Sequence, residues 1–224
     1  MPRERYQEAL EGIRSDVLAM GERVIDRLET ALESVSTGDE SLARTVIEGD
    51  AEINDRYLAL ENDCVDLFAL QQPVAGDLRF LTASFKIITD LERIGDLAVN
   101  LAQYVIAADG PVAPDVALDA IGEEALSLLE RSLEAYDAED VDACRHIADD
   151  DDHVDALCHR ASETVTRELI ERSVEDDPWA IERLLDDVSR VLLTIRDLER
   201  IGDHAVNVAA RTLYMVESDP ELIY

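Results

Sequence analysis

The sequence predicts an all-α protein built from two tandem, pseudo-symmetric three-helix bundles, six long helices in all. Three observations carry that expectation. Aromatic residues make up only 4% of the chain, while Ala, Leu, Val and Ile run through charged stretches, a mixture that favours helix over sheet. Apolar residues recur at steps of three and four over long segments, the period of one helix face. One phrase occurs twice, Asp90-Leu91-Glu92-Arg93-Ile94-Gly95-Asp96 and Asp197-Leu198-Glu199-Arg200-Ile201-Gly202-Asp203, each followed one residue later by Ala-Val-Asn. An identical block about half a chain away (197 − 90 = 107) marks two copies of one structural unit.

The elements follow in order. Ile13, Val17, Met20, Val24, Leu28, Ala31 and Val35 share one face and define the first helix. Thr37 and Glu40 are spaced as a capping box for a second helix that runs to about Leu70, where Gln71-Gln72-Pro73 ends it. A third helix, about Val74 to Ala107, carries the first copy of the repeated phrase. Asp109-Gly110-Pro111-Val112-Ala113-Pro114 cannot continue a helix and reads as the linker. Ile121, Ala125, Leu128 and Leu129 open the fourth helix, and the fifth spans about Ala138 to Val174. Asp177-Pro178 offers an N-cap followed by proline at the first helical position, the start of the sixth. Long helices with short connections pack antiparallel, so residues 1–109 and 110–224 each form an up-down-up bundle.

Composition narrows the function. The 52 Asp and Glu against 20 Lys and Arg give a formal net charge of −32, and Lys86 is the only lysine. Such a surface repels itself in dilute buffer but is screened in molar salt, where the Debye length falls to about 3 Å. This predicts a cytoplasmic protein of a salt-in halophile. With no basic stripe to neutralise phosphates, direct nucleic-acid binding is disfavoured. Cys64, Cys144 and Cys158 lack a C-x-x-C spacing and read as free buried thiols. The N-terminus lacks an apolar signal core, and no run approaches the roughly 20 apolar residues that span a bilayer.

On a helical projection with Glu92 at zero, Asp96 falls near 40° and Asn100 near 80°, while Ile94, Leu97, Ala98 and Leu101 cluster about 200°. Glu199, Asp203 and Asn207 repeat the pattern opposite Ile201, Ala205 and Val208. These oxygens form an outward ridge on successive turns, the donor type that hard cations take. The preceding helix of each unit supplies a second ridge, Asp50 with Asn54 and Asp151 with Asp155, each at i, i+4. Facing ridges on antiparallel helices make a multi-carboxylate cation site. In a chain this acidic most such pairs are simply a solvated face. Exact repetition distinguishes these, because an exposed face has no packing reason to match.

Gly95 and Gly202 mark close approach of a neighbour, since glycine costs about 1 kcal/mol inside a helix. Arg93 and Arg200 pair with ridge carboxylates or with a bound anion. Asp90 and Asp197 project away from the ridge. His146, His153 and His159 read as polar positions on a solvated face, and His204 belongs at an interface or the core edge. No Ser-His-Asp series, glycine-rich phosphate loop or H-E-x-x-H signature is present.

The doubled Leu-Glu-Arg-Ile-Gly-Asp, with Gln72-Pro73 and Gly76-Asp77-Leu78-Arg79 at the third helix, resembles the PhoU family of phosphate-transport regulators over nearly the whole chain. The resemblance implies two similar three-helix bundles with divalent or multinuclear metal sites (Fe, Zn, Mn, Mg or Ni) on surface Glu/Asp-x-x-x-Asp motifs. Those motifs fall on Glu92 with Asp96 and Glu199 with Asp203, joined by Asp50 with Asn54 and Asp151 with Asp155. Asn54 departs from the pattern by placing an amide where a carboxylate is expected. In the second unit Asp176-Asp177-Pro178 replaces the Gln-Pro and Asp-Leu-Arg segment.

The resemblance further implies a non-catalytic homodimeric adaptor that negatively regulates the high-affinity phosphate ABC transporter through its ATPase subunit. A sensor kinase, or in an archaeon a transcription regulator, is the other partner class, and the membrane is reached only through the transporter. Two alternatives stand beside it. A carboxylate-metal enzyme, either an Mg²⁺-dependent nucleotide pyrophosphatase or a ferritin-like di-iron protein, also places acids on facing helices. Di-iron sites need inward-facing Glu and paired Glu-x-x-His motifs, which outward ridges do not supply. The other is an inert halophilic scaffold whose ridges hold only hydrated salt.

Overall fold

The computed structural model describes residues 3–71, 75–108, 116–172 and 178–223, and these are helical except at turns and the C-terminal tail. The helices are α1 (Arg3–Thr37), α2 (Glu40–Glu48), α3 (Asp50–Gln71), α4 (Ala75–Ile106), α5 (Leu118–Ala138), α6 (Val141–Arg172) and α7 (Pro178–Glu217). The first unit comprises α1 to α4 and the second α5 to α7. Gln72-Pro73, the Asp109 to Pro114 linker and Asp176-Asp177 lie outside the described residues.

Two local expectations are corrected. The second helix is not continuous but breaks at Gly49, giving α2 and α3. Its cap is Asp39 rather than a Thr37–Glu40 box: Thr37 still belongs to α1, and Asp39 Oδ1 accepts from the backbone N–H groups of Ser41 and Leu42. Gly38 makes this tight reversal possible at φ 70°, a left-handed conformation that costs glycine little.

The apolar stripe of α1 is buried as its spacing demands, from Ile13 through Val35. Within the units α4 packs on α1 and α3, and α7 on α5 and α6; between them α4 packs on α7 and α1 on α5. The buried side chains of both units therefore merge into one cluster. The α1–α5 contact has an internal symmetry. A Cβ on Gly21 would meet Leu133 Cδ1 at 2.6 Å, and one on Gly122 would meet Leu32 Cδ2 at 2.6 Å. Each helix offers a glycine notch to the other's leucine, which fixes the crossing point.

The α4–α7 contact is polar at two places. Asp90, 8% exposed, lies 2.9 Å from His204 Nδ1 and accepts from Asn207 Nδ2 at 3.4 Å. Asp197, fully buried, accepts from Tyr104 OH at 2.8 Å and pairs with Arg196 and, at 3.7 Å, with Arg200. These partners explain why both copies of the repeated phrase begin with aspartate, since a buried carboxylate must be hydrogen-bonded or paired. The acids projecting away from the ridge hold the two units together, with His204 at the interface.

Candidate functional site

The ridge residues are positioned by the faces they share with the core. On α4, Leu91, Ile94 and Ala98 are buried, so Glu92 emerges half-buried and Asp96 exposed at the edge of the cleft toward α3. On α7, Leu198, Ile201 and Ala205 are buried and turn Glu199 and Asp203 outward toward α6. The glycines admit the neighbouring helix. A Cβ on Gly95 would meet Ile53 Cδ1 at 3.2 Å, and one on Gly202 would meet Asp151 Oδ1 at 3.2 Å and Val154 Cγ1 at 3.5 Å. A larger residue at 202 would push on the carboxylate itself.

In the second unit four carboxylates share one neighbourhood. Asp151 is pushed up to about 6, first by burial and then by the charges of Asp155, Asp203, Asp152 and Glu199. Glu199 is raised by loss of water on its helix-facing side and then by Asp155 and Asp203. Asp203 is raised by the same partial burial and by Asp155, against a lowering influence from His204 and Arg200. Below them the buried Cys158 thiol is pushed up to about 12 by burial and by Glu199, Asp155, Asp151 and Asp203. It therefore remains a thiol at neutral pH and is no ready thiolate ligand.

In the first unit the corresponding group is Asp50, Glu92 and Asp96. Glu92 is raised by burial, then by Asp96 and Asp50, with Arg93 acting in the opposite sense; Asp96 is raised by burial and by Asp50. Asn54 Nδ2 donates to Asp50 Oδ2 at 2.9 Å. A feature not legible in the sequence is Arg27, whose Nη1 lies 3.8 Å from Asp50 Oδ1 and whose Nη2 donates to the carbonyl of Gly49.

Eight of the ten predicted ridge residues thus fall in two groups, Asp50, Asn54, Glu92 and Asp96, and Asp151, Asp155, Glu199 and Asp203. Asn100 is half-buried one turn beyond Asp96. Asn207 turns its amide to Asp90 in the inter-unit contact, because the packing of α4 on α7 brings that carboxylate within reach. Arg200 pairs with Asp197 rather than with the ridge. His146, His153 and His159 are exposed, as expected for a solvated face. Among the described residues, no three or more His, Cys, Asp or Glu side chains converge as a ready cage for an ion.

The second group nonetheless suits a hard divalent cation. Asp151 Oδ1 is buried without a hydrogen-bond partner, and the donors are all carboxylate oxygens, whose shared charge a cation relieves. Among the described residues no helix is long and apolar enough to cross a membrane.

Comparison with known proteins agrees with the duplication. The PhoU domain family model matches residues 17–105 and again 118–212. A "phosphate-specific transport system accessory protein PhoU homolog" of Clostridium acetobutylicum is 32% identical over 219 residues, covering 96% of each chain. Its counterpart in Pseudomonas aeruginosa is 35% identical over 216 residues, 95% of this chain and 86% of that one. The crystal structure of PhoU from P. aeruginosa superimposes with a TM-score of 0.84 at 32% identity, over 96% of this chain and 100% of the other. Two matched domains, relatives covered almost end to end and a shared fold place this chain in the PhoU family.

Proposed function

We propose that this protein is a cytoplasmic, metal-binding regulator of phosphate uptake that restrains the high-affinity phosphate ABC transporter or its signalling partner. The relatives named as accessory proteins of the phosphate-specific transport system support the process. The single observation that supports metal dependence is the buried Asp151 Oδ1, which has no hydrogen-bond partner and faces α7 at Gly202, with burial and the charges of Asp155, Asp203 and Glu199 raising its pKa. Asp151, Asp155, Glu199 and Asp203 would hold the ion. A bound divalent cation supplies positive charge that offsets the ridge.

The chain's own residues do the rest. Val154 and Gly202 set the α6–α7 spacing, and the Asp90–His204 and Asp197–Tyr104 contacts hold one unit's ridge in fixed relation to the other's. A protein surface of this charge repels an acidic partner, so occupancy of the ridge decides whether docking is favourable. The protein acts as a homodimer and without turnover. The test is a pull-down in high KCl from phosphate-replete and phosphate-starved cells of the host. Capture of the transporter ATPase that depends on phosphate supply and is lost in Asp155→Asn/Asp203→Asn supports the reading; equal capture by that variant overturns the metal dependence.

A further inference from the structure

The two units correspond residue by residue through their first helical turns of chain reversal. Gly38 and Glu139 both adopt left-handed conformations, φ 70° and 55°, an offset of 139 − 38 = 101. Asp39 and Asp140 then cap the next helix alike, each accepting from the second and third following N–H groups. At the same offset Asp50 matches Asp151, Ile53 matches Val154 and Asn54 matches Asp155. Ile53 and Val154 occupy the same place over Gly95 and Gly202. Carried back into α1 and α5, the correspondence sets Arg27 against Leu128.

That exchange changes the floor of the site. Leu128 is 1% exposed and packs within 3.9 Å of where a Cβ on Gly202 would stand. Arg27 is largely covered, its side chain 10% exposed, and Nη1 is buried with no hydrogen bond, facing Asp50 Oδ1 at 3.8 Å. Its other nitrogen is anchored on the Gly49 carbonyl. A Cβ at residue 49 would lie 2.9 Å from Nη2 and would displace the guanidinium from this seat; α2 ends at this glycine. In the second unit the matching position is Asp150, and α6 runs through it unbroken. Three departures, Arg27, Gly49 and Asn54, are therefore one device. Asp50 Oδ2 accepts from the Asn54 amide, and Oδ1, buried without a hydrogen bond like Asp151 Oδ1, has the Arg27 guanidinium facing it at 3.8 Å where the second unit has Leu128 in place of a cationic side chain.

From this we infer that Arg27 takes the place of a metal ion in the first unit, so that divalent-cation binding is confined to Asp151, Asp155, Glu199 and Asp203. A cation entering beside Asp50 would meet a fixed like charge at close range, and one carboxylate fewer to hold it. The first ridge carries a fixed positive charge at Asp50, and the second takes its positive charge from a bound cation and is switchable. The inference rests on the metal reading of the proposed function, and the two fail differently.

The experiment is Mn²⁺ titration of the purified full chain in high KCl, by calorimetry and by the paramagnetic resonance of bound Mn²⁺. Glu92→Gln/Asp96→Asn is expected to leave affinity within about twofold, and Asp155→Asn/Asp203→Asn to lower it at least about 100-fold. Arg27→Leu/Asn54→Asp should gain additional Mn²⁺ binding that Glu92→Gln/Asp96→Asn removes again. Loss of part of the wild-type binding in Glu92→Gln/Asp96→Asn overturns the inference, as does no gain in a folded Arg27→Leu/Asn54→Asp. If that variant fails to fold by circular dichroism, Glu92→Gln/Asp96→Asn alone decides. Absence of Mn²⁺ binding in every variant, wild type included, defeats the metal reading and the inference with it.

Discussion

Asp151→Asn should stabilise the metal-free protein at neutral pH. The carboxylate is pushed up from 3.8 to about 6 because folding withdraws it from water and sets it among Asp155, Asp203, Asp152 and Glu199. At about 1.4 kcal/mol per pH unit this is a penalty of at most roughly 3 kcal/mol, and solvent and salt screening of a partly exposed group reduce it to about 1 kcal/mol. The sign follows from linkage. A carboxylate whose folded pKa lies above its unfolded value destabilises the fold as pH rises from the unfolded value through the folded one.

Wild type should therefore lose stability between about pH 4 and pH 6 and stay level above, while the variant lacks that contribution. Denaturant unfolding in high KCl with a chelator, at pH 4.5 and pH 7.5, measures both curves. Excess Mn²⁺ should reverse the order at pH 7.5, because ligand binding to the folded state stabilises only the protein that binds it. A variant less stable than wild type by 1 kcal/mol or more at pH 7.5 without metal would refute the reasoning, since Asp151 would then be a satisfied structural acceptor.

The remaining predictions concern the joint between units. Asp197→Ala should cost about 2–4 kcal/mol, because it strips Tyr104 OH and two arginines of a fully buried partner, whereas Tyr104→Phe should cost about 1–2 kcal/mol; urea unfolding compares them. Asp90→Ala should cost about 2–3 kcal/mol by leaving the His204 ring and the Asn207 amide unpaired, and His204→Leu should recover less than half of that in the double variant. Gly21→Val and Gly122→Val should each cost about 2–3 kcal/mol and should match within about 0.5 kcal/mol, since each drives a side chain into the leucine of the other helix; unequal losses would break the internal symmetry of the α1–α5 contact.

Much of this was legible because packing imposes a period on the sequence. The α1 stripe from Ile13 to Val35 is core throughout, and the duplication alone sets Glu92, Asp96, Glu199 and Asp203 on matching faces. The two glycines of the repeated phrase marked the approach of Ile53 and Asp151 correctly, because a helix interior tolerates glycine chiefly for closeness. What the periodicity left hidden depends on partners far away in the chain. Asn207 sits at a ridge angle, but Asp90 of the other unit claims it. Gly21 with Leu133 and Gly122 with Leu32 carry no local signature, only their shared offset of 101 (122 − 21 and 133 − 32). Arg27 was invisible for a simpler reason: it lies between Val24 and Leu28 on the edge of an apolar stripe, where a long side chain reads as solvent-facing. Its one trace in the sequence is Gly49, the C-cap where α2 ends and α3 begins and whose carbonyl accepts from Arg27.

Restraint of phosphate uptake by the metal-loaded second ridge is measurable in a host that lacks this protein. Cells should be complemented with wild type, with Asp155→Asn/Asp203→Asn, or with Glu92→Gln/Asp96→Asn, and the initial rate of radiolabelled phosphate entry measured under phosphate-replete conditions. Uptake should be unrestrained in the null strain and with Asp155→Asn/Asp203→Asn, and restrained again with wild type and with Glu92→Gln/Asp96→Asn. Full restraint by Asp155→Asn/Asp203→Asn, expressed at wild-type level, would contradict the role of the second ridge.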